Sequence, residues 1–245
     1  MSTRELNETL QPFRDAQGEG AIVFDAAACG QTPAADWFCP SHWGDAAQPV
    51  SQGGRGAAWF IDAGSDGWVL RHYLRGGLVA RLSRDKFAWQ GEDQVRSFAE
   101  FRLLQRLYAL DLPVPRPVAA FYRRQGLGYR AAILLQRLVK VQTFAHWVAH
   151  AGDAAPWQEA GRLIARFHRV GLNHADLNAH NLLFDGEGKA WMIDFDKSRL
   201  QKPEAAWQSA NLARLRRSLN KVAGQAATTP SFARLQAAYD MEMRA

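Results

Sequence analysis

The chain has 245 residues, enough for one bilobal unit or two small domains around a packed core. Hydrophobic residues at 47% and charged residues at 22% are the balance of a folded globular protein and exclude a disordered chain. A net charge of +6 points to an anionic partner, and charge alone leaves nucleic acid, an acidic membrane surface and a phosphorylated substrate all open.

The start, Met1 to Glu8, has neither the basic nor the apolar region of an export signal. No apolar run reaches the roughly 18 residues of a membrane span. Cys29 and Cys39 lie ten apart without a CxxC motif. The expectation is therefore two reduced thiols in the cell interior, with any membrane met at its surface.

The first fifty residues are rich in Gly, Ala, Pro and Trp, show little periodicity, and read as mostly irregular. Gly53-Gly54-Arg55-Gly56 reads as a turn, followed by two apolar runs, Ala57 to Ile61 and Trp68 to Leu74, in a strand–loop–strand pattern. Phe98, Phe101, Leu104, Leu107 and Tyr108 recur at helical spacing within Val95 to Leu110, and Pro113 and Pro115 end that helix. Strands are expected near Val118 to Arg123 and Tyr129 to Leu135. Pro156 suits a first helical turn, Ala160, Leu163, Ile164 and Phe167 make one apolar face, and Gly171 is placed to stop it. Two short strands, Leu182 to Phe184 and Trp191 to Ile193, flank Asp185-Gly186-Glu187-Gly188. The stretch Glu204 to Val222 repeats Leu212, Leu215, Leu219 and Val222 on one face. A β-rich first half and an α-rich second half predict an α+β, two-lobed design.

The segment His174-Ala175-Asp176-Leu177-Asn178-Ala179-His180-Asn181 fits H-x-D-x-x-x-x-N, the catalytic loop of protein-kinase-like enzymes, and Ile193-Asp194-Phe195 follows thirteen residues after Asn181. Each residue type suits phosphoryl transfer. Asp176 can orient a hydroxyl and accept its proton. Asn181 and Asp194, from two adjacent strand ends, offer the hard oxygen ligands that Mg2+ prefers while it neutralises the phosphates of ATP. The bland alternative makes Asp176 and Asn181 turn formers and Asp194 a strand end. The order of elements around them (helix before, hairpin after, then apolar-Asp-Phe) favours the chemical reading.

Upstream, Gly53, Gly54 and Gly56 would let the backbone approach phosphates, although a glycine cluster alone is more often a plain turn. Glu100 on the first long helix is the candidate partner for a phosphate-binding cation. Lysine is the usual cation; here the strand offers Arg71, with Lys86 as the fallback. His174 and His180 lack the company of a zinc site, and His174 reads as support for the loop backbone.

The runs His174 to Leu183, Ile193 to Lys197, Leu70 to Leu78, Arg96 to Tyr108, Leu112 to Pro117 and Asn211 to Ser218 resemble the 3-deoxy-D-manno-octulosonic acid (Kdo) kinases of Gram-negative bacteria, in the lipopolysaccharide kinase family. The resemblance covers most of the chain from about Gly53 to Gly224. It implies a bilobal protein-kinase-like fold, with a β-rich N-lobe and a reduced α-helical C-lobe. It also implies ATP- and Mg2+-dependent phosphorylation of the 4-hydroxyl of Kdo on a lipid A precursor, Kdo-lipid IV(A). The place would be the cytoplasmic face of the inner membrane, with the enzyme peripheral and the anionic leaflet as its partner. Related heptose kinases share the loop, and a kinase-shaped binding module without catalysis is the reading from another class. No nucleic-acid motif accompanies the charge, so nucleic acid is not expected, nor is an obligate protein partner.

The expected organisation is a 1–50 extension of uncertain structure, a 51–138 N-lobe with the Gly-rich loop and first long helix, and a 139–245 C-lobe with the catalytic loop and metal-binding Asp. About fifty residues follow Asp194, without an Ala-Pro-Glu segment, so a small or lipid-linked acceptor fits better than a docked peptide. Asp196 replaces the glycine of Asp-Phe-Gly, so the switch of regulated protein kinases is not carried over. Two basic stretches, Arg75-Arg81-Arg84-Lys86 and Arg214-Arg217-Lys221, read either as solvated faces or as surfaces for a phosphorylated lipid and an anionic leaflet.

Overall fold

Period-2 apolar runs need a partner on each edge, and in the first half of the chain they find it in one antiparallel sheet. A computed structural model describes residues 8–50, 58–63, 67–74 and 85–245. The expected glycine loop, Gly53, Gly54 and Gly56, lies outside the described residues, as do Arg75, Arg81 and Arg84. The chain divides into two units: the described residues up to Leu110 with Pro115–Arg137, and Asp111–Val114 with Leu138–Ala245.

In the first unit the strands are β1 (Glu8–Asp15), β2 (Gly18–Asp25), β3 (Ala47–Pro49), β4 (Ala58–Ile61), β5 (Trp68–His72), β6 (Phe87–Ala88), β7 (Pro117–Gln125) and β8 (Gly128–Gln136). Their order is β1-β2-β7-β8-β5-β4-β3, with β6 on β8. The reading of the first fifty residues as irregular is corrected here: β1 and β2 form a hairpin, and β2 pairs with β7 through Ala21↔Tyr122 and Val23↔Ala120.

Alternation gives the sheet two faces. Ile22, Phe24, Trp68, Leu70, Phe121 and Leu134 share one core, closed by Trp37, Phe38 and Cys29, the last at the end of α1 (Ala26–Cys29). A second short helix, α2 (Pro40–Trp43), adds Trp43 to the edge of that cluster. The opposite face takes α3 (Arg96–Ala109), whose Phe98, Phe101, Leu104 and Leu107 are fully buried. Phe98 meets Tyr122 edge-on at 5.2 Å, and Ser97 Oγ donates to the Phe121 carbonyl at 2.9 Å.

In the second unit, β9 (Gln142–Thr143), β11 (Leu182–Phe184) and β12 (Ala190–Met192) form one small sheet, while β10 (Leu172–Asn173) pairs with β13 (Arg199–Leu200). The helices are α4 (Phe144–Ala151), α5 (Trp157–Arg169), α6 (Ala205–Ala223) and α7 (Gln225–Arg244). Pro156 occupies the N-cap of α5 rather than its first turn. Helix α7 was not expected from the sequence and packs along α5. Their backbones approach so closely at Gly161 that a Cβ there would lie 2.2 Å from the Leu235 carbonyl oxygen.

Candidate active site

A loop carrying reactive groups must have its own backbone polar groups satisfied, and the 174–181 loop is tied down at most of its positions. His174 is 1% exposed. Its Nδ1 accepts the Asp176 amide at 3.2 Å, so Nε2 carries the proton and donates to the Ile193 carbonyl at 3.1 Å. Burial holds this ring below the ordinary histidine range, which keeps it in the neutral form that both bonds require. Its edge rests on Phe195, itself buried, at 5.3 Å. The sequence expectation that His174 supports the backbone is thus given a tautomer.

Helix α6 supplies further ties. Asn211, 2% exposed, accepts the His174 amide through Oδ1 at 3.1 Å and donates Nδ2 to Asn173 Oδ1 at 3.0 Å. Arg214 Nη1 donates to the His174 carbonyl at 3.3 Å, and Ser218 Oγ accepts the Ala179 amide at 3.1 Å. Ser198 Oγ accepts the Ala175 amide at 3.0 Å. Sequence reasoning missed Asn211, Ser198 and Ser218, and placed Arg214 in a basic row read either as a solvated face or as a surface for a phosphorylated lipid and an anionic leaflet. In the structure Arg214 is half-buried and turned to the loop. The available signal was Asn211 and Ser218 flanking the Leu212-Leu215-Leu219 stripe: polar residues on the border of a buried face need partners.

On this scaffold Asp176 is exposed, between buried Leu177 and half-buried Ala175. Asn178 Nδ2 donates to its Oδ2 at 3.1 Å. A fixed, solvent-facing carboxylate is chemically able to orient a hydroxyl and take its proton. Asn181 is 8% exposed and donates Nδ2 to the Asp176 carbonyl at 2.9 Å, while its Oδ1 accepts no hydrogen bond among the described residues. The β11–β12 hairpin pairs Leu182 with Met192, and one step further the Ile193 amide donates to the Asn181 carbonyl at 3.0 Å. This ladder brings Asn181 and Asp194 to neighbouring strand ends. Asp194 has φ 63°, a left-handed backbone that a non-glycine residue adopts only where the surroundings hold it. Amide oxygen and carboxylate oxygen are the hard donors suited to Mg2+, which takes one or two protein oxygens and completes its shell with phosphate and water. No group of three or more His, Cys, Asp or Glu poised for a metal occurs among the described residues.

In the first unit, strand parity decides the other cluster. Trp68 and Leu70 enter the aromatic core, so Arg71 turns to the α3 face. There its guanidinium pairs with Glu100, whose side chain is 1% exposed, and the Tyr73 hydroxyl donates to the same carboxylate. Arg96 lies over the Phe87 ring at 4.7 Å and the Tyr73 ring at 5.6 Å. The ion pair expected of Glu100 is made with Arg71. Lys86 precedes β6 instead, at the Gly128–Tyr129 end of β8.

Residues 41–239 match the sequence model of the Lipopolysaccharide kinase (Kdo/WaaP) family. The chain belongs to that family. This lipopolysaccharide-kinase family member is 55% identical over 240 residues to the 3-deoxy-D-manno-octulosonic acid kinase of Stenotrophomonas maltophilia (strain R551-3), covering 97% of this chain and 96% of that one. It is 51% identical over 244 residues to the kinase of the same name from Xanthomonas campestris pv. campestris (strain B100), covering 98% of both. Among solved structures, a glucosamine kinase (crystal form B) superposes with a TM-score of 0.53 at 12% identity, over 96% of this chain and 82% of that one. At that identity the likeness concerns the fold alone. The fold is α+β and protein-kinase-like, β-rich at the N-terminal side and helical at the C-terminal side. Family membership makes phosphotransfer the reaction class.

Proposed function

We propose that the protein transfers the γ-phosphoryl group of ATP to the 4-hydroxyl of the Kdo residue of Kdo-lipid IV(A), in lipopolysaccharide core assembly. The observation that carries the chemistry is the exposed Asp176 carboxylate on a loop held on both sides, through the amides of His174, Ala175 and Ala179 and the His174 carbonyl. The substrate reading is supported by the near-full-length similarity to proteins named as Kdo kinases.

In this reading Asp176 orients the acceptor hydroxyl and takes its proton as the oxygen bonds to the γ-phosphorus. The bond from that phosphorus to the β,γ-bridging oxygen breaks, and ADP leaves. Asn181 and Asp194 would hold magnesium, which supplies charge neutralisation at the phosphates. Arg71, kept in place by Glu100, handles nucleotide phosphate in the first unit. No helix among the described residues is long and apolar enough to cross a membrane, and a lipid-borne acceptor then calls for contact at the bilayer surface. We place the enzyme as a peripheral protein at the cytoplasmic side of the inner membrane.

The test is incubation with ATP, Mg2+ and a Kdo-lipid acceptor, followed by mass analysis and location of the phosphate. One added phosphate on the Kdo 4-hydroxyl is expected from the wild type and not from Asp176→Asn. A phosphate found on a heptose, or none on any acceptor, overturns the reading.

A further inference from the structure

Three cations stand along one flank of α6: Arg214, Arg217 and Lys221. At about 100° per residue, Lys221 returns to within about 20° of the Arg214 direction two turns on, and Arg217 lies about 60° away. Ser218 lies about 40° to the other side of Arg214, and along the axis it falls between Arg214 and Lys221. The helix is fixed against the 174–181 loop, because Arg214 holds the His174 carbonyl and Ser218 the Ala179 amide. The helix and the loop therefore run the same way, His174 beside Arg214 at the start of the row and Ala179 beside Ser218, about one turn short of Lys221. Asp176 lies between those two anchor points.

The row is short of anions. Arg217 and Lys221 are exposed, and among the described residues neither has a hydrogen-bond or ion-pair partner. Arg214 ends on a carbonyl and not on a carboxylate. Arg102, Arg116, Arg123 and Arg130 of the first unit each meet an acid instead. Arg217 and Lys221 are also a like-charge pair at i,i+4, an arrangement that weakens a helix. The helix dipole favours Lys221 in the last turn but does nothing for Arg214 and Arg217 further in.

We infer that this flank of α6 receives the carboxylate of the sugar-acid acceptor, an inference that rests on the acceptor reading above. A Kdo residue is an octulosonic acid and is anionic at neutral pH. Arginine grips a carboxylate through two parallel N–H donors, and lysine adds a mobile point charge. A carboxylate held beside the loop that bears Asp176 fixes how the sugar ring is turned, and so which hydroxyl meets the base. The same contact selects an acid over a neutral hexose or heptose, because the neutral sugar leaves the cations unmatched.

The experiment compares three acceptors: a soluble, delipidated Kdo acceptor, its carboxyl methyl ester, and Kdo-lipid IV(A) in anionic vesicles. It is run on the wild type, Arg217→Gln/Lys221→Gln and Lys221→Arg. The double variant should raise KM for the soluble acid about 10- to 100-fold, the span for losing a charge-assisted hydrogen bond. Its KM for ATP should be unchanged and its melting temperature should not fall, it should show no added penalty on the ester, and Lys221→Arg should stay near wild type. An equal penalty on acid and ester, or a defect confined to the vesicle-borne lipid, overturns the inference; the second result would assign the row to lipid phosphates or the bilayer surface. A wild type active on the acid with an indifferent double variant overturns this inference alone. A wild type inert on every Kdo acceptor overturns the acceptor reading and this inference with it.

Discussion

Arg71 and Glu100 show how a single pair can carry both structure and chemistry. The Glu100 carboxylate is almost fully enclosed and takes its charge balance from Arg71 and a hydroxyl from Tyr73. Removing one member of a buried pair typically costs about 3–5 kcal/mol. Arg71→Ala should therefore lower the melting temperature as well as raise KM for ATP. Arg71→Lys should keep most of the stability and recover part of the KM, because the charge remains while the fork is lost. Unchanged melting and unchanged KM in Arg71→Ala would assign the phosphate contact elsewhere. The second unit gives cleaner variants, because Asp176 is exposed and its side chain is not part of the packing. Asp176→Asn should melt like the wild type and bind nucleotide, yet turn over about 10²–10⁴-fold more slowly, the range for losing a general base. Asp194→Ala should abolish Mg2+-supported transfer and Asn181→Ala should raise the Mg2+ requirement. Wild-type metal dependence in both would remove them from the metal site.

At the scale of elements, the strongest constraint is the crossing of α5 and α7 at Gly161. Helix propensity alone makes Gly161→Ala favourable by about 1 kcal/mol. The new methyl group would lie 2.2 Å from the backbone oxygen of Leu235, which cannot rotate away. Overpacking of that kind costs about 1–3 kcal/mol, so the expected net result is a lower urea midpoint with activity retained per folded molecule. A raised midpoint would contradict the tight crossing. The same elements show what a sequence reveals. Helix α3 was legible because its apolar residues repeat at the helical period, and strands β7 and β8 because each is a short, near-continuous apolar run, the two set apart by Gly126 and Gly128. Helix α7 was not, since Thr228, Thr229 and Pro230 look like a breaker. The structure answers that signal locally, with Thr228 Oγ1 donating to the Gly224 carbonyl at 3.0 Å. Strand β1 was missed because it is a largely exposed edge strand with no buried alternation to read. In the site, spacing pointed to Asp176, Asn181 and Asp194, which are close in sequence. The α6 residues that hold the loop are 37 to 40 positions from it, and no local pattern announces such pairings.

For the whole molecule, acid sensitivity is built into both units by histidines buried in their neutral form. In the first, burial holds His72 below its ordinary range while its Nε2 lies 2.7 Å from the Phe38 carbonyl oxygen. In the second, burial does the same to His174, and pushes His168 down to about 4. His168 is 1% exposed, packed between Trp207 and Tyr239 at 5.1 and 5.4 Å. The sign follows from where the proton goes. Above an unfolded-state value near 6.5, folded and unfolded forms are both neutral and the stability is fully present. As pH falls from about 6.5 toward about 4, the unfolded chain binds a proton that folded His168 refuses, so stability is lost across that window. Below it, both forms carry the proton and the loss levels off. For His168 alone the total is roughly 3 kcal/mol, and His72 and His174 act in the same direction. Urea midpoints should therefore fall markedly between about pH 7 and about pH 5. His168→Gln should be less stable than the wild type at the higher pH, through disturbed packing, and the gap should narrow by roughly 2 kcal/mol at the lower one. Parallel pH profiles for the two proteins would mean that His168 titrates as freely in the folded chain as in the unfolded one.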